Sequence, residues 1–224
     1  MNKIKIIIIL QARCGSKRFP YKVIYPINNL PLLIFCAKRL NYYNKYNLVI
    51  ATSKNRKDDL LISLAKKYRI KFYRGSENNV LERFLNISKN MNSNDIIIRA
   101  TADNPLPDKN FLEKCLNIFI KNKLDYFIPK HKFFGLPYGL NLEILRVRVL
   151  RNQLPSKKNK EHVTFSLSKK INLRKIKDKF LDTNFSKINY SIDHAKDYIQ
   201  IKKKLEKFEI NDTWEKIIKY EKKN

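Results

Sequence analysis

Glycine is scarce, with four in 224 residues. So little glycine leaves no composition for a flexible linker and no three-glycine dinucleotide fingerprint. Cysteine is equally sparse. Cys14, Cys36 and Cys115 show no paired spacing, which excludes a disulfide framework and a Cys-x-x-Cys motif and implies a reducing, cytoplasmic setting. The three histidines are dispersed and form no cluster with the cysteines, so a structural zinc site is not expected. No apolar run approaches the roughly 20 residues of a membrane helix. The N-terminal run, about seven residues with no cleavage site, does not read as a signal peptide. Acids are also short, 20 against 48 Lys and Arg, for a formal net charge of +28. That surplus favours an anionic partner. The cations are spread along the chain, however, and alternate with Glu and Asp after residue 196. With no recognisable nucleic-acid module, a small polyanion is expected before a nucleic acid.

What is present is an alternation of apolar β-formers and amphipathic segments. Strands are expected over residues 4–10, 48–52, 70–74, 95–100 and 125–128, and helices over 31–40, 56–68, 80–90 and 110–121. Such alternation predicts a single α/β domain over residues 1–224, with a mostly parallel sheet between two layers of helices. A doubly wound order of 3-2-1-4 would set the first strand beside the strand of 95–100. Ligands of such sheets bind beyond the carboxyl ends of the strands at the switch point.

The loop that leaves the first strand carries the strongest chemical signal: Gln11-Ala12-Arg13-Cys14-Gly15-Ser16-Lys17-Arg18-Phe19-Pro20-Tyr21-Lys22. Gly15 permits close backbone approach, Ser16 offers a hydroxyl and an amide, and Arg13, Lys17, Arg18 and Lys22 offer charge-assisted donors. The loop lacks the Gly-Lys-Ser/Thr ending of a Walker A sequence, yet its chemistry suits a triphosphate. Opposite it, Asp103 follows the strand of 95–100. One or two carboxylates with phosphate oxygens are what Mg²⁺ prefers, although capping or ion pairing would also use such an acid. Asp193 precedes a helix and carries the same pair of alternatives.

The loop pattern resembles that of the cytidylyltransferases that make CMP-activated sugars. These include the acylneuraminate and 3-deoxy-manno-octulosonate synthetases, and the likeness is greatest to the spore-coat polysaccharide (SpsF-type) branch. Further segments resemble the family in order: Arg74-Gly75-Ser76 with Val80-Leu81 and Arg83, then Arg99-Ala100-Thr101-Ala102-Asp103, Pro137-Tyr138-Gly139-Leu140-Asn141-Leu142-Glu143, Glu161-His162-Val163-Thr164 and Ile192-Asp193. The resemblance implies a Rossmann-like, GT-A-like nucleotidyltransferase sheet and transfer of a cytidylyl group from CTP to a sugar or sugar acid. It assigns catalysis to Arg13, Lys22 and Asp103, and Mg²⁺ to Asp103 and Asp193. Nucleotide contacts fall on Gln11, Ala12, Arg13, Gly15, Ser16, Arg18, Lys22, Gly75, Ser76, Arg83 and Thr101. Acceptor contacts fall on Tyr138, Asn141, Glu143 and His162. Tyr138 and Asn141 stand where the family carries aspartates, and Ala102 where it carries glycine, which leaves the acceptor open. Two other readings stand beside this one. A nucleotide-sugar glycosyltransferase would carry Asp-x-Asp where this chain has Thr101-Ala102-Asp103, and a basic binding protein with a decayed acceptor site would keep the charge without the chemistry. Relatives of this kind are often dimers, and the aromatic segment 126–138 is the expected contact between copies.

Overall fold

The computed structural model describes residues 3–153, 163–164, 166–167, 173 and 176–221. Its centre is a six-stranded sheet. The first strand, β1 (Ile6–Gln11), is followed by the short hairpin pair β2 (Pro26–Ile27) and β3 (Leu30–Pro31), then by helix α1 (Leu32–Leu40). The chain continues through β4 (Asn47–Ser53), α2 (Asp59–Lys67), β5 (Lys71–Gly75), α3 (Val80–Ile87), β6 (Ile96–Thr101) and α4 (Lys109–Lys121). After β7 (Tyr126–Phe127) and α5 (His131–Phe134) come β8 (Glu143–Arg146) and α6 (Val147–Arg151). Helices α7 (Ala195–Leu205) and α8 (Trp214–Glu221) end the described chain.

The sheet order is β5-β4-β1-β6-β8-β7. Its first four strands are parallel and reproduce the expected 3-2-1-4 winding. β8 was not anticipated. It runs antiparallel between β6 and β7 and places Glu143 directly opposite Arg99. Of the aromatic segment 126–138, Tyr126 and Phe127 are buried in the sheet, and Phe133 and Tyr138 are exposed.

The two faces of β1 serve two cores, as the period-2 geometry of a strand dictates. Ile8 and Leu10 join a large cluster with Phe35, Leu61, Phe111 and Trp214, drawn from α1, α2, α4 and α8. Ile7 and Ile9 face Val80, Phe84 and Leu150, from α3 and α6. The result is a three-layer helix–sheet–helix arrangement. Burying β1 on both faces explains its unbroken apolar run, since parallel strands covered by helices have no solvated side. Among the described residues no helix is long and apolar enough to cross a membrane.

Candidate active site

β1 and β6 end level with each other, Gln11 pairing with Thr101. Ala12 N–H donates to Ala51 and Ala102 N–H to Gln11, so the chains beyond both strands leave side by side. The loop after β1 is then fixed from within. Cys14 carbonyl accepts from the amides of Ser16 and Tyr21, and the Ser16 hydroxyl accepts from Phe19 N–H. Tyr21 takes a left-handed conformation (φ 59°) that turns the chain into the 3-10 turn beginning at Lys22. From below, the buried carboxylate of Asp58 receives Cys14 N–H (2.7 Å), the Thr52 hydroxyl (2.9 Å), Ser53 N–H (3.1 Å) and the Ser53 hydroxyl. Cys14 packs within this arrangement. Cys14 is 1% exposed, and burial and Asp58 push its thiol up to about 12, which disfavours the reactive thiolate.

Above these strand ends lies a cavity of about 1130 Å³. It gathers Gln11, Ala12, Arg13, Gly15, Ser16, Arg18, Lys22, Arg83, Thr101, Asp103, Tyr138, Asn141 and Asp193 from the expected set. Three long-range connections bring the two acids together. Ile192 N–H donates to the Asp103 carbonyl (2.9 Å), which fastens the segment before α7 to the loop after β6. Lys22 Nζ donates to Asp103 Oδ2 (2.9 Å) and to the Ile192 carbonyl (2.6 Å), and lies 3.6 Å from Asp193 Oδ1. Arg18 pairs with Asp193 Oδ1 at 2.6 Å. Capping of α7 does not consume Asp193, because Asp197 Oδ2 accepts from His194 N–H and Asp193 N–H at the start of that helix.

Among the described residues no group of three or more His, Cys, Asp or Glu side chains forms a metal cluster. Two cavity-facing carboxylates that share one ammonium nevertheless fit Mg²⁺, which completes its shell with phosphate oxygens and water.

Three expected contacts fall elsewhere. Glu143 does not line the cavity. It is 4% exposed and held by Arg99, by the Tyr126 hydroxyl (2.8 Å) and by Thr164. Through Arg99 NH2, which donates to Gln11 Oε1 (3.1 Å), it steadies the end of β1. Gly75 and Ser76 also lie off the cavity surface, because they build the turn behind it. Ser76 Oγ accepts from Asn79 N–H, and Gly75 leaves room for the stem of Arg83. His162 lies outside the described residues. Tyr138 is exposed at the rim with its ring edge-on to His131, and Asn141 Oδ1 is buried with no partner among the described residues.

Sequence reasoning missed two residues. Asp58 reads as an ordinary first-turn helix acid, and only the preceding Thr52-Ser53 hints at a buried carboxylate with hydroxyl donors. Glu77 lines the cavity next to Gly15, and no motif signalled it.

The family described as Cytidylyltransferase matches residues 7–224. The spore coat polysaccharide biosynthesis protein SpsF of Bacillus subtilis is 31% identical over 209 residues, covering 88% of this chain and 85% of that protein. The 3-deoxy-manno-octulosonate cytidylyltransferase of Nitratiruptor is 31% identical over 121 residues, 51% of this chain and 48% of its own. A solved cytidylyltransferase from Leptospira borgpetersenii serovar Hardjo-bovis superposes with a TM-score of 0.87 at 27% identity, covering 99% of this chain and 95% of that one. With the anion loop, the paired acids and the sheet order in place, the chain belongs to the cytidylyltransferase family.

Proposed function

We propose that this chain transfers the cytidylyl group of CTP to a hydroxyl of a sugar or sugar acid, with Mg²⁺, in the cytoplasm and for glycan assembly. The family supports CTP-dependent nucleotidyl transfer. The observation that carries the rest is the convergence of Asp103, Asp193, Arg18 and Lys22 at one end of the loop. The acceptor oxygen forms a bond to the α-phosphorus, the α–β bridge breaks, and pyrophosphate departs while the hydroxyl proton passes to solvent. Arg13, Arg18 and Lys22 neutralise charge on the departing group, and Asp103 and Asp193 would hold the metal. Magnesium bound there would polarise phosphate oxygens. The SpsF relative supports the glycan context, and the octulosonate relative supports an acidic acceptor.

A cavity of about 1130 Å³ is large enough for a nucleotide and a sugar together. Topology sets β4 and β5 on one side of the loop and β6 and β8 on the other. Tyr138 and Asn141 line the cavity on the β8 side and form the acceptor wall, while the triphosphate lies over the loop. The test is pyrophosphate release from CTP over a panel of neutral sugars, sugar acids and sugar phosphates, with and without MgCl₂. Release with no member of the panel, despite CTP binding, would refute the transfer reaction.

A further inference from the structure

Beyond the loop, on the side of β5 and away from Asp103, the cavity holds two groups of opposite charge. Arg83 is 1% exposed, and its stem runs so close beneath Gly75 that a Cβ there would meet Arg83 Cγ at 2.5 Å. Among the described residues its guanidinium has one long bond, to the Ala51 carbonyl at 3.4 Å, and its Nε has no partner. A buried cation with so incomplete a set of acceptors is unusual unless a ligand supplies the rest. Burial, with Arg13 nearby, pulls Arg83 down to about 10, while Asp58 and Glu77 act in the opposite direction. Glu77 Oε2 is held by Asn55 Nδ2 (2.9 Å). Oε1 lies 3.5 Å from where a Cβ on Gly15 would sit, at the loop's inner edge. Both residues line the cavity.

We infer that Glu77 and Arg83 together read the edge of the base and that Glu77 selects a 4-amino pyrimidine over a 4-oxo one. The inference rests on the cytidylyl reading above and assigns its specificity to a residue. An ionised carboxylate only accepts hydrogen bonds, and a guanidinium only donates them. Cytosine offers an amino donor beside a ring nitrogen and a carbonyl acceptor, so its N4–H₂ meets Glu77 while N3 and O2 meet Arg83. Uracil reverses two of these three groups. Its O4 faces the carboxylate and its N3–H faces the guanidinium, leaving unpaired groups on both sides of a partly dry contact. Sites built on hydrogen bonds to a substrate reject analogues lacking the matching group for this reason. Asn55 serves as a positioning residue, fixing one carboxylate oxygen so that the other is presented.

The test is the dissociation constant of CTP, UTP and ATP by calorimetry, with MgCl₂ present, for wild type, Glu77→Gln and Glu77→Ala. Circular dichroism confirms that each variant is folded. Wild type is expected to favour CTP over UTP by about tenfold or more, the scale of a hydrogen bond to a charged group. Glu77→Gln, whose amide both donates and accepts, should bring the two nucleotides to within about threefold by weakening CTP and strengthening UTP. Glu77→Ala should lose CTP affinity without gaining ATP. Equal binding of CTP and UTP by wild type overturns the assignment, as does an undiminished CTP preference in both variants, which leaves the cytidylyl reading intact. A wild-type protein that binds no nucleotide overturns the cytidylyl reading and the assignment with it.

Discussion

Replacing Asp58 with alanine should loosen the anion loop from beneath. The carboxylate is 1% exposed and accepts Cys14 N–H on one oxygen, with Ser53 N–H and two hydroxyls on the other. Thr52 and Ser53 can rotate their hydroxyls to other acceptors. The two backbone N–H groups cannot move. Each unpaired buried amide costs about 1–3 kcal/mol, partly offset because a desolvated charge is removed, so a net loss of about 3 kcal/mol is expected. For a chain of this length that lowers the melting temperature by roughly 6–12 °C. Asp58→Asn is the sharper control. Because Cys14 and Ser53 use different oxygens, either orientation of the amide sets an NH₂ against one N–H. That variant should lose about 1–3 kcal/mol, between wild type and alanine. Thermal and urea unfolding followed by circular dichroism would measure both. An alanine variant melting within about 2 °C of wild type would refute the reasoning, since no buried amide worth its usual cost would then depend on Asp58.

Other perturbations reach different parts of the site. Asp103→Asn should cut pyrophosphate release about a hundredfold or more, with little change in melting temperature, because a charge facing the reacting phosphates is lost from a partly exposed side chain; a normal rate would remove Asp103 from the mechanism. Gly139→Ala should destabilise the protein by about 3 kcal/mol or more, because φ is +90° and a Cβ would stand 2.5 Å from Ser191 N and 2.6 Å from the Tyr190 carbonyl carbon. Wild-type unfolding of that variant would show that the segment before α7 is not fixed there. Native protein at about pH 8.5 should resist iodoacetamide at all three cysteines, since a thiol reacts as thiolate and burial holds each pKa well above that pH. Mass spectrometry should find three labels only after denaturation, and rapid labelling of Cys14 in the native protein would contradict its packing.

Much of this architecture was legible because it depends on local pattern. The unbroken apolar run of β1 needs helices on both faces, and the 3-2-1-4 order is one that right-handed crossovers allow without selecting it. β8 escaped notice because four residues, buried on an antiparallel pairing, give too short a pattern to set a period. With it went the partner of Glu143, since Arg99 is brought opposite by cross-strand register and not by sequence distance. Arg83 carried a usable clue: it stands three residues after Val80 and one before Phe84, on the buried face of α3. Asp58 and Glu77 carried none of that strength. Their meaning comes from what the β1 loop brings near them, and long-range contact of that kind is not written in spacing.

Lys22 sits in a self-contained charge balance. An ammonium has three protons. In this structure they point toward the Asp103 carboxylate, the Ile192 carbonyl and the nearby Asp193. With Arg18 on Asp193, two acids meet two cations, so the formal charges at this corner balance. A triphosphate that recruits Lys22 must therefore draw it away from partners it already has. The freed carboxylates would then confront the incoming oxygens unless another cation came with the nucleotide. The site is in this sense an exchanger, in which binding swaps one set of charge partners for another, and a polyanion arriving without its own counter-ion finds the exchange unbalanced.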